Sequence, residues 1–291
     1  MGVPSFLAIV VVLLSRMALV GAFLFPPTAL VQHGSSHQHR CLSRTILNGL
    51  SASNDGTTTG VGSTEEAKSN LLRLLVENGG TTLNEDVKAA IEVLVKLNPT
   101  PNPARAWSIL TGDWNMIGAD FVGTERTKNG IEATLGRLSF NIFEPTEVPV
   151  LLTSVTTFMR LPSAQAAAES PDADDANYGI ASNFVTRDGS ELRGRVVLLA
   201  RCTEDSSEAD RMQIQFLRTK LEPDESQDLD AWRAVIGRKA EDSEGADMLD
   251  GGVLSHEWTK SPLGTLDVLY VDEDVRITRG NMGALVVVTR M

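Results

Sequence analysis

The chain has 291 residues, is 42% hydrophobic but only 5% aromatic, and carries a formal charge of −12. An acid excess of that size excludes electrostatic binding to nucleic acid or to an anionic lipid surface, both of which require clustered Lys and Arg. Its two cysteines, Cys41 and Cys202, fall in stretches of different composition, which excludes an internal disulfide framework.

The first 64 residues read as a two-part leader. Phe6 to Leu14 is an apolar run ended by Ser15-Arg16 and resumed by Met17 to Val20. Its unbroken part is too short to cross ~30 Å of hydrocarbon, which takes about 20 apolar residues. Val20-Gly21-Ala22 suits a signal peptidase, so residues 1–22 are expected to be a signal peptide. The run has no Lys or Arg before it, and an N-terminal membrane anchor is the competing reading. Residues 28–64 hold Arg40 and Arg44, many Ser and Thr, three His (His33, His37, His39) and Asp55 alone among acids. That is the composition of a transit peptide, so residues 23–64 are expected to be disordered and outside the fold. Gly21-Ala22-Phe23 resembles the junction of the bipartite leaders of algae with complex plastids. The leader takes three of the 26 basic residues and one of the 38 acidic ones, leaving 23 against 37, a charge of −14. No later segment reaches spanning length, so no transmembrane segment is expected there.

The remaining chain, about 225 residues, suits one domain with a helical preface over 65–98. Ser63-x-x-Glu66 resembles a capping box. Ala67, Leu71, Leu74, Leu75 and Asn78 follow at helical spacing until Gly79-Gly80 stops them. Asn84 caps a second helix with Val87, Ile91, Leu94 and Val95 on one face, and Asn98-Pro99 ends it. Two antiparallel helices packed on the domain body are expected.

Strands are expected from Leu110 onward, with Trp114 as an inward-facing side chain. Ile131, Ala133 and Leu135 alternate, then Leu138, Phe140 and Ile142 do so in shifted phase, which predicts a bulge or bend at Gly136. Thr153 to Leu161 reads as a strand through Phe158. Ala164 to Ala176 is a low-complexity insert read as a mobile loop. Tyr178, Ile180, Ser182 and Phe184 alternate before the Asp188-Gly189 turn, and Leu192 to Ala200 and Met212, Ile214, Phe216 give two further strands. Asp230 to Lys239 predicts a short helix around Trp232, Val235 and Ile236. Leu266, Val268 and Tyr270 form the next strand, Asp272-Glu273-Asp274 turns the chain, and Val275 and Ile277 continue it. Gly280-Asn281-Met282-Gly283 turns it again before a last strand from Ala284 to Thr289. Eight or nine strands without strand–helix–strand alternation predict a mainly β, antiparallel barrel over 99–291.

The C-terminal residues carry a resemblance. Leu266-Asp267, Tyr270-Val271-Asp272-Glu273-Asp274, Val275-Arg276-Ile277 and Arg279-Gly280 resemble the C-terminal signature of the plastid lipid-associated proteins, the PAP/fibrillin family. Asn98-Pro99-Thr100-Pro101 and Leu110-x-Gly112-x-Trp114 resemble the start of the same domain, and the resemblance spans roughly residues 67–291. It implies a lipocalin-like barrel in a plastid, at thylakoids or lipid globules (plastoglobules), handling apolar molecules.

Catalytic signatures are absent from the sequence: no GxGxxG, GxxxxGK, GxSxG or HExxH occurs. Asp172-Ala-Asp174-Asp175-Ala-Asn177 lacks the central glycine and closing glutamate of a calcium loop. Asp267, Asp272 and Asp274 could pair as acid and base, but Arg276 and Arg279 beside them favour a salt-bridged turn. His256 stands alone outside the leader. No catalytic residue, metal or cofactor is assigned. The inward candidates for an apolar ligand are Trp114, Phe140, Phe158, Phe184, Phe216, Val268 and Tyr270, with simple filling of a packed barrel as the competing reading. Asp267, Asp272, Arg276 and Arg279 serve either strand register or function, and register is preferred.

The expected function is non-enzymatic carriage of a carotenoid, quinone, sterol or acyl lipid. A structural coat on lipid globules or thylakoids, with no defined ligand, is the alternative, and a prenyl-lipid or pigment-modifying enzyme ranks below both. Exposed apolar residues at the barrel mouth would favour the carrier. An apolar stripe on the helices' outer face would favour the coat.

Overall fold

A computed structural model describes residues 61–162, 176–237 and 246–291. The leader up to residue 60 and nearly all of the Ala164–Ala176 insert lie outside the described residues. Among those described, the chain forms an eight-stranded antiparallel barrel preceded by helices.

Helix α1 (Val61–Glu77) and helix α2 (Glu85–Lys96) come first. The start of α1 at Val61 puts Ser63 inside the helix rather than at its cap. Gly79 and Gly80 stop α1 with φ of +62° and +83°, and the Gly80 amide donates to the Leu75 carbonyl at 2.7 Å. Asn84 caps α2, its side-chain oxygen accepting from the amides of Asp86 and Val87. Leu71 and Leu75 of α1 and Val87, Ile91 and Leu94 of α2 are buried against Tyr270, Val275, Ile277 and Val287 of the barrel's outer wall. Each such side chain contributes roughly 1.5–3 kcal/mol. Packing therefore holds these helices, since an isolated 12-residue helix is marginal in water.

After a one-turn helix α3 (Trp107–Leu110) the strands begin: β1 (Gly112–Ala119), β2 (Glu125–Thr127), β3 (Gly130–Thr134), β4 (Pro149–Met159), β5 (Tyr178–Thr186), β6 (Arg193–Glu204) and β7 (Arg211–Pro223). β8 (Ala246–Met248), β9 (Leu254–Glu257), β10 (Leu263–Val271), β11 (Val275–Gly280) and β12 (Leu285–Arg290) complete them. The ring runs β1-β12-β11-β10-β7-β6-β5-β4 and closes where β4 pairs with β1, from Gly112 opposite Met159 to Asn115 opposite Thr156. Two strands change partner partway. The lower half of β4 pairs with β1 and the upper half with β3; the lower half of β7 pairs with β10 and the upper half with β9. The lower end is the one α3 enters and where the β10–β11 turn sits; the upper end carries the β1–β2, β3–β4, β9–β10 and β11–β12 connections.

The Gly136 region is not a bulged strand. β3 stops at Thr134, whose hydroxyl accepts from the Arg137 amide and caps a one-turn helix α4 (Leu135–Leu138). A short helix α5 (Leu229–Trp232), capped by Asp228 and continued by a wider turn over Arg233–Gly237, buries Trp232 and Ile236 in the upper core.

Candidate ligand-binding site

Alternation along the strands defines the inner wall. In β4, Val150, Leu152, Val155, Thr157 and Met159 are buried; in β6, Val196, Ala200 and Cys202 are. Of the aromatic and apolar candidates, Trp114, Phe184, Phe216 and Val268 belong to the interior clusters. Three others do not. Phe158 lies between the inward Thr157 and Met159, so it faces out, covering Gly179 of β5 with Arg160 packed 5.1 Å from its ring centroid. Tyr270 is turned outward by a bulge between Val268 and Tyr270, which leaves Val271 facing in and Tyr270 under the helices. Phe140 is not on a strand: it follows α4 with φ of +54° and is 37% exposed at the upper rim.

The lower interior is built around Trp114, which is wholly buried and donates from its indole nitrogen to the Leu110 carbonyl at 3.0 Å. Two arginines stack on it, Arg290 at 4.3 Å and Arg276 at 4.8 Å from guanidinium carbon to ring centroid. Arg290 donates to the carbonyls of Ile109, Thr111 and Glu273. Arg276 is 2% exposed. It crosses from β11 to β4, where Nη2 donates to the Thr157 hydroxyl and Nη1 to the Met159 sulfur, both at 2.7 Å. Its buried Nε has no partner, and among the described residues it makes no ion pair. Burial pushes its pKa down to about 10, so it is still a cation at neutral pH. Tyr178 and Cys202 lie near it, but burial pushes both up to about 12, so neither supplies a negative charge.

Above this layer the interior loosens. Met116, Ile180, Leu198, Phe216 and Val286 pack against the interior clusters yet are only partly buried. Where β4 leaves β1 for β3, a cleft of about 160 Å³ opens in the wall, lined by Met116, Ile131, Leu152, Ser154 and Val155 among others. At the upper rim, Phe140 meets Phe216 and Trp258 edge to face at 5.3 and 6.0 Å, and His256 meets Trp258 at 5.1 Å. Val122, Leu249 and Met282, all exposed, lie on the β1–β2, β8–β9 and β11–β12 connections of this same end, and the exposed Leu263 opens β10 there.

The polar motif residues divide into two groups. Asp267 stands opposite Arg279 in the β10–β11 ladder and opposite Arg211 in the β10–β7 ladder. It accepts from Arg211 at 2.6 Å and from Arg279 at 3.0 Å, and these contacts hold its carboxyl below the usual range. That pairing links three neighbouring strands through one carboxylate. Among the described residues Asp272 has no arginine partner. It accepts from the Tyr270 hydroxyl at 2.6 Å and pairs with Lys68 of α1 at 2.8 Å. Burial alone would raise the Asp272 carboxyl, but the hydrogen bonds from Lys68, Tyr270 and two backbone amides outweigh it and lower the pKa. Carboxylate oxygens of Glu65, Asp272 and Asp274 lie within 4.8 Å of one another, a spacing that suits a metal ion. The Lys68 ammonium stands 2.8–2.9 Å from all three and fills the place a cation would take. The expected salt-bridged turn therefore forms with a helix lysine instead of Arg276.

Arg276, Arg290, Thr157 and Tyr178 are the site residues that alternation alone misjudged or passed over. One signal was available for Arg276: it sits between Val275 and Ile277 on a strand covered by helices outside and by the barrel inside, which leaves no solvent face for it. No family model, curated protein or solved structure matches the chain.

Proposed function

We propose that this protein is a non-enzymatic carrier of an apolar small molecule, held inside the barrel, of the kind its resemblance to the plastid lipid-associated proteins implies: a carotenoid, a quinone or an acyl lipid. The plastid setting, at thylakoids or plastoglobules, belongs to the same proposal. The observation that carries it is the middle of the barrel. The inward side chains of Met116, Ile180, Leu198, Phe216 and Val286 remain partly exposed there, between the filled lower layer and the upper core, and exposed apolar residues stand at the upper end. A filled barrel would bury the first group and would have no use for the second. The outer face of the two helices is mostly charged, with Glu66, Arg73, Glu77, Glu85 and Glu92 exposed beside Val76, Ala89 and Val93. Its apolar feature is a groove between the helices lined by Ala67, Leu74, Ala89, Ala90 and Val93, so among the described residues it offers a lipid coat no continuous apolar stripe. Among the described residues no helix is long and apolar enough to cross a membrane.

The test is to purify the protein from its own plastids under gentle conditions, extract it with organic solvent, and identify and count the released molecules per polypeptide. One defined compound near one-to-one is expected. A variable mixture matching the surrounding membrane overturns the carrier in favour of the coat, and absence from plastids overturns the location.

A further inference from the structure

We propose that Arg276 is the recognition residue for a carboxylate, so that the cargo is a single-chain amphiphile of the long-chain fatty-acid type with its acid group deep in the barrel and its tail toward the upper rim. This rests on the carrier reading and narrows it. The argument begins with a contrast between two arginines on one tryptophan. Arg290 is neutralised in hydrogen-bonding terms by three carbonyls. Arg276 meets a hydroxyl and a thioether, two uncharged and weak acceptors, and its Nε meets nothing. A buried cation without a counter-ion is unfavourable, and folded chains either pair it or replace it. Here no residue of the barrel's lower layer supplies the negative charge, because Tyr178 and Cys202 stay protonated. A ligand anion would complete the site.

The surroundings select which anion. Around the guanidinium stand Trp114, Met159, Val288 and Cys202, so a wholly polar ion such as phosphate would lose its hydration with little in return. A carboxylate matches the planar fork of a guanidinium and brings one charge for one charge. Thr157 adds a second contact: its oxygen accepts from Arg276, which leaves its own proton free to donate to a ligand oxygen. Thr157 lies directly across the ladder from Ile180, and Ile180 from Leu198. Those two are among the partly exposed inner residues, so partly open apolar wall lies directly beside the residue that shares the head group.

The experiment uses the full chain, stripped of bound lipid, titrated with palmitic acid and separately with methyl palmitate. Calorimetry or displacement of a fluorescent apolar probe reads the affinities. The acid is expected to bind one-to-one and at least roughly tenfold tighter than the ester, a difference of about 1.4 kcal/mol. In Arg276→Gln the acid should fall to the affinity of the ester while the ester is unchanged. Arg276→Met, which removes the buried charge, should behave the same way and serves if the Gln variant does not fold. Equal binding of acid and ester by the unmodified protein overturns the role of Arg276 and leaves the carrier standing. Binding of neither, with no uptake of the apolar probe, overturns the carrier and this assignment together.

Discussion

The guanidinium of Arg290 lies flat over Trp114, 4.3 Å from its ring centroid, and ties the last residues of β12 to the entry of β1. Its donors reach Ile109 and Thr111 on one side and Glu273 on the other, so one side chain joins α3, β1 and the β10–β11 turn. Gly112 makes room for it. A Cβ there would collide with the Arg290 guanidinium, and the φ of +147° is one that only glycine adopts readily. This gives the Leu110-x-Gly112-x-Trp114 motif a physical reason: the glycine lets the arginine reach the tryptophan two residues on.

Arg290→Lys should therefore destabilise the barrel although charge is kept, because a single ammonium cannot serve three diverging carbonyls. Leaving two of those carbonyls without a donor costs roughly 2–4 kcal/mol, taking about 1–2 kcal/mol for each. Gly112→Ala should cost a similar amount through the same contact. Thermal denaturation of the two variants checks this, and an unchanged Tm in both would show that the clasp is idle.

Lys68→Met should loosen the helical preface without opening the barrel. Lys68 is almost fully covered, and it is the link between α1 and the β10–β11 turn through Asp272 and Asp274. Losing a charged hydrogen-bonding partner costs roughly 1.5–3 kcal/mol. The pH dependence follows from the directions of both shifts. Asp272 and Asp267 are depressed in the folded chain, so their contributions are complete above about pH 4 and fade as pH falls through the folded values. Lys68 is raised, since its three carboxylate partners outweigh burial, so its contribution is complete below about pH 10 and fades above. Stability should be flat from about pH 4 to about pH 9, above which the buried Cys202 thiol, held protonated in the folded chain, withdraws stability as the unfolded thiol ionises. In the variant the alkaline loss should shrink, while the acid loss from Asp267 persists. Denaturant midpoints across pH measure this, and a variant with the unmodified alkaline profile would remove Lys68 from the account.

Alternation and turn chemistry made the barrel, both long helices, the Gly79-Gly80 stop and the Asn84 cap legible, because each is written in local residue spacing, whereas the Ser63 capping box was not, since the first helix begins before it. What escaped were features set by partners distant in sequence. The bulge between Val268 and Tyr270 inserts one residue and turns Tyr270 to the helices, although the run Leu266, Val268, Tyr270 reads as one face. Alternation by itself allows Phe158 to face in, but its strand phase is set by Val155 and Met159, and its ring belongs to Gly179 across the ladder. Arg276 is charged and close in sequence to the acidic turn, which sequence spacing alone takes as its partner. Its strand direction carries it into the barrel instead, and only the closed ring reveals that Thr157 and Met159 are its neighbours.

Gly179 and Phe158 give a direct check on that corrected phase. A Cβ at Gly179 would overlap the Phe158 ring, so Gly179→Val should destabilise by roughly 1–3 kcal/mol through overpacking on the outer surface. Phe158→Ala combined with Gly179→Val should recover much of that loss, since the clash disappears, and neither change should alter uptake of an apolar probe. A double variant no better than Gly179→Val alone would mean that the two side chains do not meet.

Phe140 offers the sharpest separation of stability from ligand entry. Its φ of +54° is unfavourable for a residue with a Cβ, by roughly 1–2 kcal/mol. Its edge contacts with Phe216 and Trp258 are worth roughly 0.5–1.5 kcal/mol each. Replacing it by glycine relieves the first and loses the second, and adds the entropy of a freer unfolded chain, roughly 0.4–1 kcal/mol. These terms nearly cancel, so Phe140→Gly should shift the Tm by only a few degrees. Removing a ring from the rim should nonetheless speed the entry and exit of an apolar probe several-fold, with the equilibrium affinity changed little. Phe140→Arg keeps bulk at the rim but adds a charge that an apolar molecule must pass, and should slow uptake while leaving the fold intact. Stopped-flow fluorescence and a thermal melt on the same samples decide the matter: unchanged uptake rates in both variants would mean that ligand enters elsewhere, with the cleft between β1 and β3 as the next place to block.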